Sequence, residues 1–226
     1  MNYYSQHPKF HVAVDCIIFG FQKGTLKVLL QRRAFEPRLG EWSLMGGFVR
    51  RDEDVDAAAV RVLEHLTGLR NIYMKQVGAF GSVNRDSGDR VISVAYFALV
   101  DIDLVKQDLI GEHYPFWADI NNMPPLVFDH QQMVEKAHDR LISLIHMRPV
   151  GFYLLPPLFT LTQLQQLYEA ILGHQIDKRN FRKRVADMQF IEKTEHIDKT
   201  HSRRGAALYR FNQQAFNEDD KKRFRL

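Results

Sequence analysis

The 226 residues are 45% apolar and 26% charged, a composition that excludes a disordered or fibrous chain. No apolar run reaches the ~18 residues a membrane-spanning helix needs, and the opening MNYYSQHPKF lacks the basic start and apolar core of a secretory leader. Net charge is +4, unevenly placed: residues 151–226 hold 14 Lys+Arg against 9 Asp+Glu, which points to a polyanion partner for that part of the chain.

In chain order, residues 10–21 (FHVAVDCIIFGF) and 26–31 (LKVLLQ) are rich in β-branched and aromatic residues and predict paired strands around a Gln-Lys-Gly turn. Gly24 gives that turn its backbone freedom. The single Cys16 lies in the first of these runs, cannot close an intrachain disulfide, and suits a cytoplasmic setting as an inert core thiol. WSLMGGFV predicts a short strand that breaks at its two glycines. A helix follows, because Val55, Ala58, Ala59, Val62, Leu63 and Leu66 recur at helical spacing. Asp52 or Asp54 can cap its start, and Gly68 can end it. YMKQVGAF and VISVAYFALV predict two more strands, separated by the turn-rich SVNRDSGDR.

Residues 130–146 predict a second amphipathic helix, and 147–159, with three prolines and a glycine, a linker between two domains, 1–147 and 148–226. Beyond it, TLTQLQQLYEAILG predicts a helix with Thr162 and Gln165 in a capping-box pattern. Asp177 caps a basic helix, DKRNFRKRVADM, and the strands FIEKT and ALYRF flank a basic loop. Helix, tight turn, basic helix and two-stranded ribbon form a winged helix-turn-helix. Between 178 and 210 there are 10 Lys+Arg against 4 Asp+Glu. Lys178, Arg179, Asn180, Arg182, Lys183, Lys199, Arg203 and Arg204 are the candidate DNA contacts, since cations and an amide suit phosphate oxygens and base edges.

The stretch GGFVRRDEDVDAAAVRVLEHLTGL resembles the Nudix box, G-x5-E-x7-R-E-U-x-E-E-x-G-U with U aliphatic. Gly47, Glu53, Arg61, Leu63, Gly68 and Leu69 stand at matching places, and VLLQRR and GEWSLMGGF resemble Nudix strands. In catalytic members, three further box glutamates hold Mg²⁺ against a diphosphate. Here those places carry Val62, His65 and Leu66. Mg²⁺ requires hard oxygen ligands, so no metal, cofactor or enzymatic activity is expected. Glu53 is expected to pair with Arg61, and Glu64 to face water.

A Nudix-like domain followed by this C-terminal segment is similar to the Nudix-related transcriptional regulators. The resemblance implies an α+β Nudix fold, a mixed sheet between helices, followed by the winged helix. It implies a homodimer that binds a double-stranded DNA operator and a small effector, either an ADP-ribose-type nucleotide or a pentose such as arabinose. With no metal left to hold a diphosphate, the pentose is the favoured expectation. Arg32, Trp42, Phe48, Arg50, Phe80, Asp86, Asp129 and His130 are the candidate effector contacts, with Arg33 and Arg51 as further phosphate partners. The alternative is a divergent Nudix hydrolase acting on a nucleotide diphosphate.

Overall fold

A computed structural model describes residues 3–105, 115–199 and 205–216. The chain divides into two compact units. One comprises Met1–Ile18, Val28–Ala98 and Val105–Ala137, the other Phe19–Lys27, Leu99–Leu104 and His138–Leu226.

The first strands follow the apolar runs. β1 (His11–Gln22) and β2 (Thr25–Arg32) are joined by a two-residue turn in which Lys23 and Gly24 both take positive φ, 52° and 76°. That is the turn whose twist suits a hairpin. β3 (Trp42–Ser43) and β4 (Met45–Phe48) come next, so the strand breaks at Leu44 and not at the glycines. Gly46 pairs with Asp15 of β1, and a Cβ there would meet the Asp15 carboxylate and lie 2.8 Å from the Val14 carbonyl. Only glycine fits so close an approach.

α1 (Val55–Thr67) is capped by Asp54, whose side chain accepts from the Ala57 amide, and ends at Gly68 in a left-handed conformation. Its buried face is Ala58, Ala59, Val62, Leu63 and Thr67. β5 (Tyr73–Phe80) and β6 (Val91–Val100) fall where expected. β7 (Phe116–Asp119), four residues long, was not legible in the sequence. The sheet runs β3-β2-β1-β6-β5, with β4 beside β1 and β7 beside β2. α2 spans His130–Ile145.

The expected linker is packed rather than loose: Val150–Leu154 form a 3-10 turn with Val150, Gly151, Phe152 and Leu154 buried. The Phe152 ring stacks on Phe211 at 4.5 Å, within 4° of parallel. Apolar side chains between prolines still gain by leaving water. β8 (Phe159–Thr160) then leads into α3 (Leu161–Leu172). The capping box is Thr160 with Gln163, not Thr162 with Gln165. Starting the helix there buries Leu164, Leu167, Tyr168 and Ile171 on one face. α4 (Lys178–Ala186), β9 (Ile191–Asp198) and β10 (Ala206–Phe211) complete the winged-helix order, with β8-β10-β9 as its sheet. β9 runs four residues beyond the predicted strand and takes in part of the expected loop.

Candidate effector cleft and DNA-reading surface

α4 carries the basic sequence on a short amphipathic helix. Asp177 caps it by accepting from the Asn180 amide at 2.8 Å. Phe181 and Val185, four residues apart, are buried, and Phe181 lies 6.4 Å from the Tyr168 ring. Lys178, Arg179, Asn180, Arg182, Lys183 and Arg184 are therefore all exposed on one helix. Lys199 is exposed just after β9. Arg203 and Arg204 lie outside the described residues.

In the Nudix unit the box frame is intact and its acid face is gone. Arg61 donates to Glu53 through Nε at 2.9 Å and reaches the Phe48 carbonyl at 3.1 Å, pinning β4 to α1. That hydrogen bond, helped by the Arg50 amide, holds the Glu53 carboxyl down at about 2. Val62 is buried, and a Cβ on Gly47 would stand 3.0 Å from its methyl group. His65 is exposed, and Leu66 is half-buried. Glu64 is half-buried too, contrary to its expected place in water. Val62, His65 and Leu66 do not fit Mg²⁺: two are hydrocarbon, and one imidazole is no substitute for three carboxylates. Among the described residues no group of three His, Cys, Asp or Glu side chains could hold a metal.

Beside this frame lies a buried polar network that sequence reasoning only half found. Arg85, whose side chain is 3% exposed, grips Asp129 with Nε at 3.0 Å and Nη2 at 2.7 Å. Its Nη2 also lies 3.5 Å from Asp15 Oδ2, which accepts from the Ser93 hydroxyl at 2.6 Å. Burial opposes the Arg85 charge, but the Asp129 hydrogen bonds and the two carboxylates outweigh it and raise its pKa. His130 Nδ1 accepts from the Leu44 amide at 3.1 Å, which leaves Nε2 to carry the proton 3.6 Å from Asp15 Oδ1. Burial lowers the His130 pKa and keeps the ring neutral. Neither Asp15 nor Arg85 carried a motif. The one available signal was that each interrupts an apolar or turn-forming context.

The network corrects several expectations. His130 is buried and committed to the Leu44 amide, so its role is to fix β3, β4 and the start of α2. Phe80 is 6% exposed beneath the Lys136 ammonium, a core position. Asp129 is half-buried and bound by Arg85. Asp86 is half-buried and accepts from the Gly88 amide at 2.8 Å. The remaining candidates stay accessible. Arg32 lies 4.0 Å over the half-buried Trp42 ring, which touches Phe116. Phe48 is 56% exposed against His11, and the Arg50 and Arg51 side chains are exposed.

A cleft of about 610 Å³ opens in the same unit, with Arg38, Glu41, Asn84, Arg85, Asp129 and Gln132 in its walls. That volume is in the range of small-molecule sites.

The NUDIX domain family matches residues 9–137, and the NrtR DNA-binding winged helix domain matches residues 151–211. The chain is 35% identical to an ADPR responsive transcriptional repressor, NtrR, of Acinetobacter baylyi, over 92% of this chain and 84% of that protein. It is 36% identical to an ADP-ribose pyrophosphatase of Methanocaldococcus jannaschii, over 57% of this chain and 72% of that protein. Shewanella oneidensis NrtR, solved with a 27mer DNA, superposes with a TM-score of 0.80 at 30% identity, covering 90% of this chain and 94% of that one. Its NUDIX domain, solved with ADP ribose, superposes with a TM-score of 0.55 at 32% identity, covering 62% of this chain and 94% of that one. A Nudix frame without its metal acids, a helix of outward cations and matches in both halves of the chain agree, and the chain belongs to the NrtR family of Nudix-related transcriptional regulators.

Proposed function

We propose that the protein is a homodimeric, operator-binding regulator controlled by an ADP-ribose-type nucleotide. The effector-binding domain is 1–147 and the DNA-binding domain 148–226. The carrying observation is α4: six exposed polar side chains on a helix whose other side is locked by Phe181 and Val185. Cations reach phosphates, while Asn180, Arg179 and Arg182 read base edges. A twofold protein matches a near-palindromic site, with half-sites one helical turn or a multiple apart.

The pentose preference gives way to ADP-ribose. Its premise was that a diphosphate needs a metal. Hydrolysis needs one in a Nudix site, but binding does not: guanidinium and backbone N–H groups hold phosphate oxygens by charge-assisted hydrogen bonds. Exposed Arg50 and Arg51 are suited to that task. The Acinetobacter relative, named for its response to ADPR, and the Shewanella NUDIX domain with ADP ribose both support this reading.

The second reading, a hydrolase, is favoured by the Methanocaldococcus relative and opposed by Val62, His65 and Leu66. One experiment addresses both. A duplex selected from a random pool is titrated by fluorescence anisotropy with and without ADP-ribose, and the nucleotide is recovered by chromatography. ADP-ribose is expected to change DNA affinity and to be recovered intact with Mg²⁺ present. Steady conversion, abolished by chelator and by Glu53→Gln, would establish the hydrolase. Unchanged affinity in both titrations would remove ADP-ribose as effector.

A further inference from the structure

Helix α2 belongs to both compact units. It runs unbroken from His130 to Ile145, with residues up to Ala137 in the Nudix unit and those from His138 onward in the winged-helix unit. Its 16 residues, about 24 Å of helix, include neither proline nor glycine, where kinks gather. Met133, Val134, Ala137, Leu141 and Ile145 are buried along one face. At its start Asp129 accepts from Arg85 at 3.0 and 2.7 Å, and Gln132 stands in the wall of the cleft. Further along, His138 is half-buried, and its Nε2 lies 2.9 Å from the Ile171 carbonyl. A carbonyl only accepts, so Nε2 carries the hydrogen and donates it. Ile171 stands in the last turn of α3, where carbonyls have no partner within the helix. The turn that follows is held by side chains of α3: Glu169 accepts from the Ile176 amide at 2.9 Å, and Gln165 donates to the Ile176 carbonyl at 3.0 Å. Asp177 then caps α4. His138 thus ties α2 to the end of α3 from which α4 is launched.

We infer that His138 is a positioning residue for DNA recognition: through its bond to the Ile171 carbonyl it passes a displacement of α2 at the cleft to the α3–α4 turn, and so to the cations of α4. Coupling between two sites needs an element that both of them bias. α2 is that element, since its first turn lines the cleft and His138 grips α3. A side chain without a donor at this position leaves both sites intact and disconnects them. The inference rests on the reading that an ADP-ribose-type nucleotide changes DNA affinity, and it deepens that reading by naming the bond that carries the change.

The test uses the full chain and three variants. His138→Ala removes the donor, His138→Leu removes it while filling the space, and His138→Gln sets an amide N–H near the place of Nε2. Anisotropy gives the affinity of the selected duplex with and without saturating ADP-ribose, and calorimetry gives the affinity of ADP-ribose alone. In the unaltered protein the two duplex affinities are expected to differ by about fivefold or more. His138→Ala and His138→Leu are expected to bring that ratio to within about twofold of one, with the affinity for ADP-ribose alone unchanged. His138→Gln is expected to restore most of the ratio. Hydrogen exchange of the amides from Gly173 to Ile176 is the second readout: ADP-ribose should alter it in the unaltered protein and in His138→Gln, and not in the other two. If His138→Ala does not fold, His138→Leu decides. A ratio that loss of the donor leaves unchanged overturns the inference and leaves the effector reading standing. A ratio lost equally in His138→Gln also overturns it, because the loss then follows from packing of the imidazole. If ADP-ribose leaves the duplex affinity of the unaltered protein unchanged, the effector reading itself falls, and the inference with it.

Discussion

The Nudix unit holds a guanidinium between the buried Asp15 and the half-buried Asp129 carboxylates, with the Arg85 side chain 3% exposed. The winged-helix unit keeps the five cations of α4 in water and fills its interior with rings: Phe152 against Phe159 and Phe211, Phe190 against Phe211 and Phe216. The two solutions suit two tasks. Fixed internal charges hold loops around a cleft at a cost in desolvation, so their partners must all be present. External cations bind a polyanion by releasing its counterions, so they need a rigid platform but no partner within the chain.

The largest expected effect separates these two uses of charge. Arg85→Ala leaves Asp15 and Asp129 facing each other in a buried site, and should cost about 3–5 kcal/mol of stability. Lys183→Ala, on the exposed face of α4, should change stability by less than about 0.5 kcal/mol. Urea unfolding followed by circular dichroism measures both. A loss below about 1 kcal/mol for Arg85→Ala would mean the network is solvated and the contrast is unfounded.

On the outer surface of α4, substitutions that leave stability unchanged should instead change DNA binding. Arg182→Ala is expected to weaken the selected duplex by about 1–3 kcal/mol and to relax base preference, whereas Lys183→Ala should weaken all duplexes alike and lower the salt slope by about 1. Both variants should melt as the unaltered protein does. Anisotropy titrations at several salt concentrations give the comparison, and equal behaviour of the two variants would show that α4 contacts phosphate alone.

A smaller effect probes the aromatic interior. The Tyr168 ring is fully buried, and its hydroxyl has no hydrogen-bond partner among the described residues. Burial alone pushes its pKa up. An unmet hydroxyl carries a desolvation cost, so Tyr168→Phe should be neutral or add up to about 1 kcal/mol. A drop in melting temperature would reveal a partner, such as an internal water, that the ring now holds.

The sequence exposed periodic features and hid the long-range ones. The stripe of α1 and the split of α4 into Phe181 and Val185 against its cations were both readable, because helical spacing alone sets them. The Nudix pattern was legible because Glu53 and Arg61 sit at a fixed interval on one helix and its lead-in. The Asp15–Arg85–Asp129 cluster was not, since its members are 44 or more residues apart and meet only through the sheet. His130 and Phe80 were singled out by chemical type, which does not reveal that the fold buries both. The capping box slipped by two residues because Thr160 and Thr162 are each followed, three residues on, by glutamine. Packing of Leu164, Leu167 and Ile171 chose between them.

The finest test lies on the Nudix surface, at the remnant of the box. Glu53 is held at about 2, against 4.5 for a free glutamate, by its hydrogen bonds from Arg61 and the Arg50 amide. A carboxylate with a depressed folded-state pKa stabilises the fold at pH values above its unfolded pKa. That contribution is complete above about 4.5 and fades as the pH falls towards 2. Arg61 stays charged throughout, so the pair is lost only when Glu53 takes a proton. Glu53→Gln cannot ionise, so its stability deficit should be constant from pH 8 to pH 5 and should shrink from there towards pH 2. Denaturant midpoints of both proteins across that range measure the gap. A gap that persists unchanged at pH 2 would show that the side chain works through packing and not through its charge. A midpoint raised by Mg²⁺ in the unaltered protein but not in Glu53→Gln would show that the carboxylate still meets a metal, and the division between a binding fold and a catalytic one would have to be redrawn at this residue.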